Sequence, residues 1–237
     1  NRDDYTQVYS YETRNPVSIE EDRIHLIMNG WMMHDVYGHG PYSPQFTNNY
    51  KFPIEDKRIV PIFLATHLSP YVPYLLEKQC IDYYKQHEPI YCRDNHTKEK
   101  LQKYNVKGEY VGCISQLLKR EWVSDKYQKK YTGKTFFVNY NGPVIDKNNT
   151  YKISHYSEQL RGQTIYERKK ITEDLLAKYK YAKKIITTKL HCFLPCRAMG
   201  VDVEYRGPLD ERTADLVTSN PDTTLLEQQI SKILLKE

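Results

Sequence analysis

The amino-acid sequence predicts an α/β protein made of two Rossmann-like halves. Short apolar runs, each suited to one buried strand, alternate with stretches of helical periodicity along the 237 residues. Strands that alternate with helices in this way favour parallel sheets covered by helices in doubly wound layers. The alternation repeats on both sides of a polar stretch at 124–134. We therefore expect an N-terminal half at 1–128 and a C-terminal half at 129–237.

Apolar runs and helical periodicity define the elements of the first half. The expected strands lie at 23–29, 58–66, 90–92 and 109–113, and the expected helices at 71–86, 97–104 and 116–122. Within the first of these helices Leu76, Cys80 and Tyr83 recur at helical spacing. We expect Asn95 or Thr97 to cap the second helix, because both side chains can accept a backbone hydrogen bond.

The second half repeats the pattern. The expected strands lie at 135–139, 152–155, 184–188 and 201–205, and the expected helices at 164–181, 190–199 and 223–235. Gly200 is suited to end the middle helix, since glycine readily adopts the left-handed conformation found after helix ends.

Charge and hydropathy exclude some classes of partner. The net charge of +5 is spread among acidic residues and is not concentrated in one segment, so we expect no nucleic-acid partner. The excess of positive charge is explained either by a solvated surface or by a cleft that attracts an anionic substrate. No apolar stretch approaches the ~20 residues of a membrane span, and we expect no signal peptide at the start of the sequence.

The five cysteines favour a reducing compartment. No C-x-x-C pair occurs, and Cys192 and Cys196 lack a second ligand pair at zinc spacing. We therefore expect buried, reduced thiols, a cytoplasmic location and no metal site.

Residues that follow the predicted strands are rich in functional side chains. They are Asn29, Gly30 and Trp31, then His67, then Arg93 and Asp94, then His155, and finally Lys189 and His191. Each has an ordinary structural explanation, such as a hydrogen-bonded histidine or a surface ion pair. In open parallel sheets, however, ligands bind beyond the carboxyl ends of the strands. Together these cations and histidines would suit a ligand with phosphate and carboxylate groups.

The same segments resemble the polysaccharide pyruvyl transferase family. The resemblance is carried, in order, by Met28-Asn29-Gly30-Trp31, Ile62-Phe63-Leu64-Ala65-Thr66-His67, Glu88-Pro89-Ile90-Tyr91-Cys92-Arg93-Asp94, Tyr110-Val111-Gly112-Cys113, Ile153-Ser154-His155 and Ile185-Ile186-Thr187-Thr188-Lys189-Leu190-His191. It extends from about residue 24 to about residue 206. The ordered set is more specific than any one motif.

This resemblance implies two facing Rossmann-like halves, similar to the glycosyltransferase B architecture. It implies transfer of the enolpyruvyl part of phosphoenolpyruvate onto a sugar, giving a pyruvate ketal. Phosphoenolpyruvate is then the donor substrate, a sugar or glycan is the acceptor, and no cofactor or metal is expected.

The resemblance also implies roles for individual residues. His191 is expected to be the acid, and Arg93, Lys189 and Leu190 to bind the donor. Two further histidines, His67 and His155, are candidates for the base. The remaining expected substrate contacts are made by Asn29, Gly30, Trp31 and Asp94, with Asp94 orienting Arg93 and Trp31 stacking on a sugar or lying buried.

Two departures from the family pattern keep other functions open. Lys189 stands where the family has arginine, which keeps the charge and loses the bidentate fork. Only about two dozen residues precede Asn29, so either the first half lacks its opening strand and helix or the chain is cut there. The alternatives are a nucleotide-sugar glycosyltransferase, for which Glu204 or Asp210 could grip the nucleotide, and an inactive sugar-binding relative.

Overall fold

The computed structural model describes residues 22–28, 31–32, 52–70, 72–144, 146–155 and 164–235. The chain forms two compact units, Asn1–Tyr110 and Val111–Glu237. The boundary expected between residues 128 and 129 lies inside the second unit, and as a boundary between two domains it stays a prediction. Among the described residues, no helix has the length and apolar character needed to cross a membrane.

The first unit contains paired parallel strands and two helices. In chain order these elements are β1 (Ile24–Met28), β2 (Trp31–Met32), β3 (Ile59–Phe63), β4 (His67–Leu68), α1 (Lys78–Gln86), β5 (Ile90–Cys92), α2 (Asn95–Gln102) and β6 (Gly108–Tyr110). Strand β1 pairs with β3, β2 with β4, and β5 with β6, all in parallel. A single bridge between Thr66 and Cys92 joins the segment before β4 to β5.

The core of the first unit lies between these strands and the two helices. Phe63 of β3, Tyr84 of α1, Ile90 of β5 and Leu101 of α2 are all nearly inaccessible to solvent. The aromatic rings meet edge to face, with the Phe63 and Tyr84 centroids 5.5 Å apart. Together with the Thr66–Cys92 bridge, this core brings His67 of β4 next to Asp94, which follows β5.

Helix α2 begins two residues earlier than expected because its cap is Asp94. The Asp94 carboxylate accepts a hydrogen bond from the backbone N–H of Thr97 at 2.8 Å, as N-cap residues do. The prediction that Asn95 or Thr97 caps this helix is therefore wrong. The Thr97 hydroxyl instead accepts a hydrogen bond from the backbone N–H of Leu68 at 3.0 Å, which ties α2 to β4.

The second unit is a four-stranded parallel sheet with helices. Its elements are α3 (Gln128–Tyr131), β7 (Thr135–Val138), β8 (Thr150–Ile153), α4 (Ile165–Tyr179), β9 (Lys184–Thr187), α5 (Leu190–Ala198), β10 (Val203–Tyr205), α6 (Ala214–Thr218) and α7 (Thr224–Leu235). The strand order is β10-β9-β7-β8, and each neighbouring pair is parallel. Because all four strands point the same way, their carboxyl ends share one edge of the sheet.

Local sequence signals fix the two helices that flank this sheet. Thr164 and Glu167 form a reciprocal capping box at the start of α4. Helix α5 ends just before Gly200, which has a φ of 71° and continues into β10. The core joins Phe136 of β7 and Ile185 of β9 to the last turn of α4.

Several predicted elements differ from those in the structure. The expected helix at 116–122 is two separate 3-10 turns, Ile114–Leu117 and Arg120–Trp122, because the backbone between them is extended. The strand expected at 152–155 is β8, which ends at Ile153, so His155 lies beyond it. The short helices α3 and α6 were not predicted. The α/β class with parallel sheets is confirmed, whereas the arrangement as two facing Rossmann-like halves stays a prediction.

Candidate functional site

The carboxyl edge of the second-unit sheet has a topological switch point between β7 and β9. The strand that follows β7 in the chain, β8, lies on one side of it, and the strand that follows β9, β10, lies on the opposite side. In open α/β sheets the crevice at such a point is where ligands bind. The residues that leave the strands here are Asn139 after β7, His155 after β8 and Lys189 after β9.

Asn139 connects two of these strand ends. Its backbone φ is 52°, a left-handed conformation that asparagine adopts more readily than most residues. Its side-chain Oδ1 accepts a hydrogen bond from the backbone N–H of His155 at 2.8 Å, and its Nδ2 donates to the Ser154 hydroxyl at 3.3 Å. Its carbonyl accepts a hydrogen bond from the Thr188 hydroxyl at 2.9 Å. Asn139 therefore fixes the loop after β8 against the loop after β9.

His155 is half-buried beside the start of α5. Its Nε2 and the hydroxyl of Tyr179 share a hydrogen bond of 2.7 Å. Burial lowers the pKa of the imidazole below its ordinary value, and the positive charge of Lys189 lowers it further. Both effects favour the neutral ring near pH 7, so His155 is in the form that can accept a proton.

Tyr179 is the last residue of α4 and is only 2% exposed. Its ring packs edge to face on Phe136, with the centroids 5.5 Å apart. Burial raises the pKa of its hydroxyl, with smaller contributions from Cys192 and Cys196, so the phenol keeps its proton. Helical periodicity placed Tyr179 in the helix expected at 164–181, but it did not predict the contact of its hydroxyl with His155.

Lys189, Leu190 and His191 form the entry into α5. Lys189 occupies the N-cap position and its backbone N–H donates to the Thr187 hydroxyl at 3.0 Å. The Leu190 side chain packs into a hydrophobic cluster with Phe193, so its predicted substrate contact stays a prediction. His191 lies one residue further, in the first turn of α5, and is exposed. The first turn of a helix offers backbone N–H groups and a partial positive charge to an anion.

A pocket of about 1190 Å³ lies over this part of the second unit. His155, Tyr179 and His191 line it, together with Cys192 and Pro195 of α5. The remaining wall comes mostly from α4 and the segment before α3; its charged residues are Lys126, Arg168, Lys170, Glu173, Asp174 and Lys178. The pocket thus joins two of the predicted catalytic histidines in one concave surface, which is the usual setting of a small-molecule site.

The first unit holds a second polar cluster, around His67. The Nδ1 of His67 lies 2.6 Å from a carboxylate oxygen of Asp94, and both side chains are almost completely buried. Burial works to raise the pKa of Asp94, but the hydrogen bonds from His67 and Thr97 hold it below its ordinary value. The ionised carboxylate therefore accepts the Nδ1–H of His67. Asp94 orients His67 and caps α2, and its predicted orientation of Arg93 stays a prediction.

Arg93 directly precedes Asp94, and its backbone is paired with the residue before His67. Its backbone N–H donates to the carbonyl of Thr66 at 2.9 Å, and its side chain is 4% exposed. Its predicted role in donor binding stays a prediction. Asn29 and Gly30 lie outside the described residues. Trp31 pairs through its backbone with His67 in the β2–β4 ladder, and its side chain is not described.

The remaining chemistry-bearing groups of the described residues do not form a metal centre. No group of three or more His, Cys, Asp or Glu side chains within these ranges is placed to hold a metal ion. All five cysteines are free and buried. Burial raises the pKa of Cys80 to about 12, which leaves its thiol protonated and unreactive at neutral pH.

The fold and the pocket define the class of the protein. It is an α/β protein with a pocket at the carboxyl edge of a parallel sheet, where a histidine of lowered pKa lies beside a cationic helix start. A family model described as polysaccharide pyruvyl transferase matches residues 1–203, and the chain belongs to that family. The family implies a transferase that moves a pyruvyl group onto a polysaccharide. No curated protein and no solved structure matches the chain.

Proposed function

We propose that the protein transfers the enolpyruvyl group of phosphoenolpyruvate to two hydroxyls of one sugar in a glycan, forming a pyruvate ketal. The observation that carries the proposal is the pocket of the second unit, which His155 and His191 both line and which has the start of α5 beside it. Family membership supports pyruvyl transfer, and the chemistry of these residues supports this donor.

The donor is a small anion with a phosphate and a carboxylate. The ammonium of Lys189 and the first backbone N–H groups of α5 are suited to hold one of these groups. A lysine offers a point charge but cannot make the bidentate hydrogen bonds of an arginine, so we expect a lower affinity for the donor than an arginine would give. We keep Arg93 as a second donor-binding residue because its Cys-Arg-Asp segment resembles that of the family.

The reaction begins with protonation of the methylene carbon of the donor. His191 gives this proton, and positive charge develops on the adjacent carbon that bears the carboxylate and the phosphate ester oxygen. One sugar hydroxyl attacks that carbon and loses its proton to a base. The carbon–oxygen bond to phosphate then breaks, and the second hydroxyl closes the ketal ring while its proton passes to the departing phosphate. The proton that the base takes from the first hydroxyl replaces the one that His191 gives to carbon. The products are the ketal and inorganic phosphate, so atoms and charge balance.

His155 is the better candidate for the base. It lines the pocket, and both burial and Lys189 lower its pKa, which keeps it neutral and able to accept a proton. His67 is 1% exposed and already engages Asp94. We therefore assign the proton transfer from the sugar hydroxyl to His155, and a structural role to His67.

Incubation of the purified protein with phosphoenolpyruvate and a panel of sugars tests the proposal. We expect phosphate release together with an acceptor mass increase by one pyruvyl unit. His191→Ala should lower turnover by roughly 10²–10⁴-fold, as removal of a general acid does. His25→Ala, which removes an exposed histidine of β1 far from α5 in sequence, serves as the matched control and should keep turnover.

The alternatives give different results in the same experiment. Binding of a nucleotide sugar without binding of phosphoenolpyruvate would favour a glycosyltransferase. Sugar binding without product from any donor would favour an inactive relative. Normal turnover in His191→Ala would remove His191 from the mechanism while leaving the reaction itself in place.

A further inference from the structure

The contact between Tyr179 and His155 determines which ring nitrogen of His155 is available to a substrate. Nε2 is engaged by the Tyr179 hydroxyl at 2.7 Å. Within the described part of the chain, the only other hydrogen bond of His155 runs from its backbone N–H to Asn139. This leaves Nδ1 as the ring atom available to a ligand. Only a nitrogen without a proton can accept one, so the role of His155 depends on which nitrogen holds the hydrogen.

The charges around His155 are compatible with a hydrogen on Nε2. The ammonium of Lys189 is close enough to lower the pKa of His155, and a lone pair on Nδ1 is compatible with a nearby cation. Burial keeps Tyr179 protonated and neutral, and its oxygen has lone pairs that can accept Nε2–H. Three titratable side chains of α5 lie near this corner: His191 and Cys192 line the pocket, and Cys196 acts on the pKa of Tyr179. The charged side chains of the pocket wall named above lie on α4 and before α3.

We propose that Tyr179 is a positioning residue that accepts the Nε2–H of His155, so that Nδ1 is the atom that takes the proton from the sugar hydroxyl. When Nδ1 is protonated the ring becomes an imidazolium, and Nε2–H then donates to the Tyr179 oxygen more strongly. Tyr179 thus stabilises the charged form that arises during the reaction. The inference rests on the proposed function for its role in turnover, but the tautomer itself can be measured without any substrate.

Nitrogen NMR of the whole chain, labelled with ¹⁵N-histidine and observed above the pKa of His155, tests the tautomer directly. His155→Gln identifies the signals to be followed. We expect the Nε2 signal to be that of a protonated nitrogen and the Nδ1 signal that of a bare one. The reverse pattern would overturn the inference, because Tyr179 would then donate to Nε2 and Nδ1–H could only donate to a ligand.

Tyr179→Phe tests the role of the hydroxyl while keeping the ring that packs on Phe136. We expect kcat to fall about five- to tenfold, in line with the loss of one hydrogen bond, with the KM for phosphoenolpyruvate unchanged. Loss of the acceptor destabilises the imidazolium, so the pKa of His155 should fall and the acidic limb of the pH profile should move to lower pH. A shift to higher pH would contradict the inference.

Tyr181→Phe is the matched control. Its hydroxyl also makes a short hydrogen bond, to Asp125 at 2.6 Å, but at the surface of the same unit. We expect neither kcat nor the pH profile to change in this variant. The proposed function and the role of Tyr179 can fail separately. If the protein has the Nε2–H tautomer but makes no ketal, only the proposed function is contradicted. Ketal formation by a protein with the Nδ1–H tautomer would contradict the inference alone.

Discussion

Two histidines that the sequence placed directly after strands, His67 and His155, are held in very different ways. His67 donates to the ionised carboxylate of Asp94 and is buried with it, whereas His155 meets a neutral phenol at the wall of a pocket. A buried carboxylate fixes a ring strongly and leaves little access to solvent or ligand. His155 is held more weakly, by a hydrogen bond from its ring to the Tyr179 hydroxyl and one from its backbone N–H to the Asn139 side chain. This arrangement leaves the second ring nitrogen accessible. The comparison indicates that a position after a predicted strand is not enough to assign a histidine as the base. The hydrogen-bond partner of the ring and its burial must be considered as well.

The largest effect should come from breaking the buried pair. Asp94→Ala removes the acceptor of His67 and the cap of α2, and should lower the free energy of unfolding by about 3 kcal/mol. Asp82→Ala, which removes an exposed partner of Lys78, should change it by less than about 0.5 kcal/mol. Chemical denaturation monitored by circular dichroism measures both. Equal losses in the two variants would mean that the His67–Asp94 pair does not hold the first unit together.

A smaller effect should come from loosening His155. Asn139→Gly keeps the left-handed backbone without strain but removes both side-chain hydrogen bonds to the loop after β8. We expect kcat to fall about tenfold because the base is less well positioned, with about 1 kcal/mol lost from the free energy of unfolding. Asn141→Gly changes an exposed asparagine two residues further on and is the control. Unchanged kcat in Asn139→Gly would argue against His155 as the base.

The smallest change should be a shift of pH dependence. A base must be neutral, so kcat/KM is lost as the pH falls through the pKa of His155. Burial and Lys189 lower that pKa, which places the acidic limb below the ordinary histidine value of 6.5. Lys189→Gln removes one of these causes, so the limb should move to higher pH, opposite to the shift expected for Tyr179→Phe.

Lys183→Gln is the control for this shift, because it removes an exposed lysine before β9 and should leave the limb in place. A pH–rate profile of each variant, normalised to its own maximum, separates this effect from any loss of donor affinity. An acidic limb above pH 6.5 in the unmodified protein would contradict the assignment of His155 as a base held neutral by its surroundings.

The sequence predicted the parts of the site that depend on local patterns. Apolar runs placed β5 and β9 to within a residue, and the rule that ligands bind beyond strand ends selected His155, Lys189 and His191. Asn139 was predicted to be the last residue of a strand, and it was therefore not selected as a residue beyond a strand end. Its left-handed backbone, which ends the strand one residue earlier, could not be predicted from the sequence. The contact of Tyr179 with His155 joins residues 24 positions apart, and no periodicity reveals such a pair.

Helix α5 is buried along almost its whole first half, and His191 interrupts that burial. Leu190 and the run from Cys192 to Cys196 pack into the core, while His191 faces the pocket. Substitutions at the neighbours of His191 would open voids and reduce the amount of folded protein in a cell. A substitution of His191 itself removes an imidazole from the pocket and leaves the core filled. Under the proposed role of His191 as the acid, an active transferase and a folded but inactive variant would differ at this one residue.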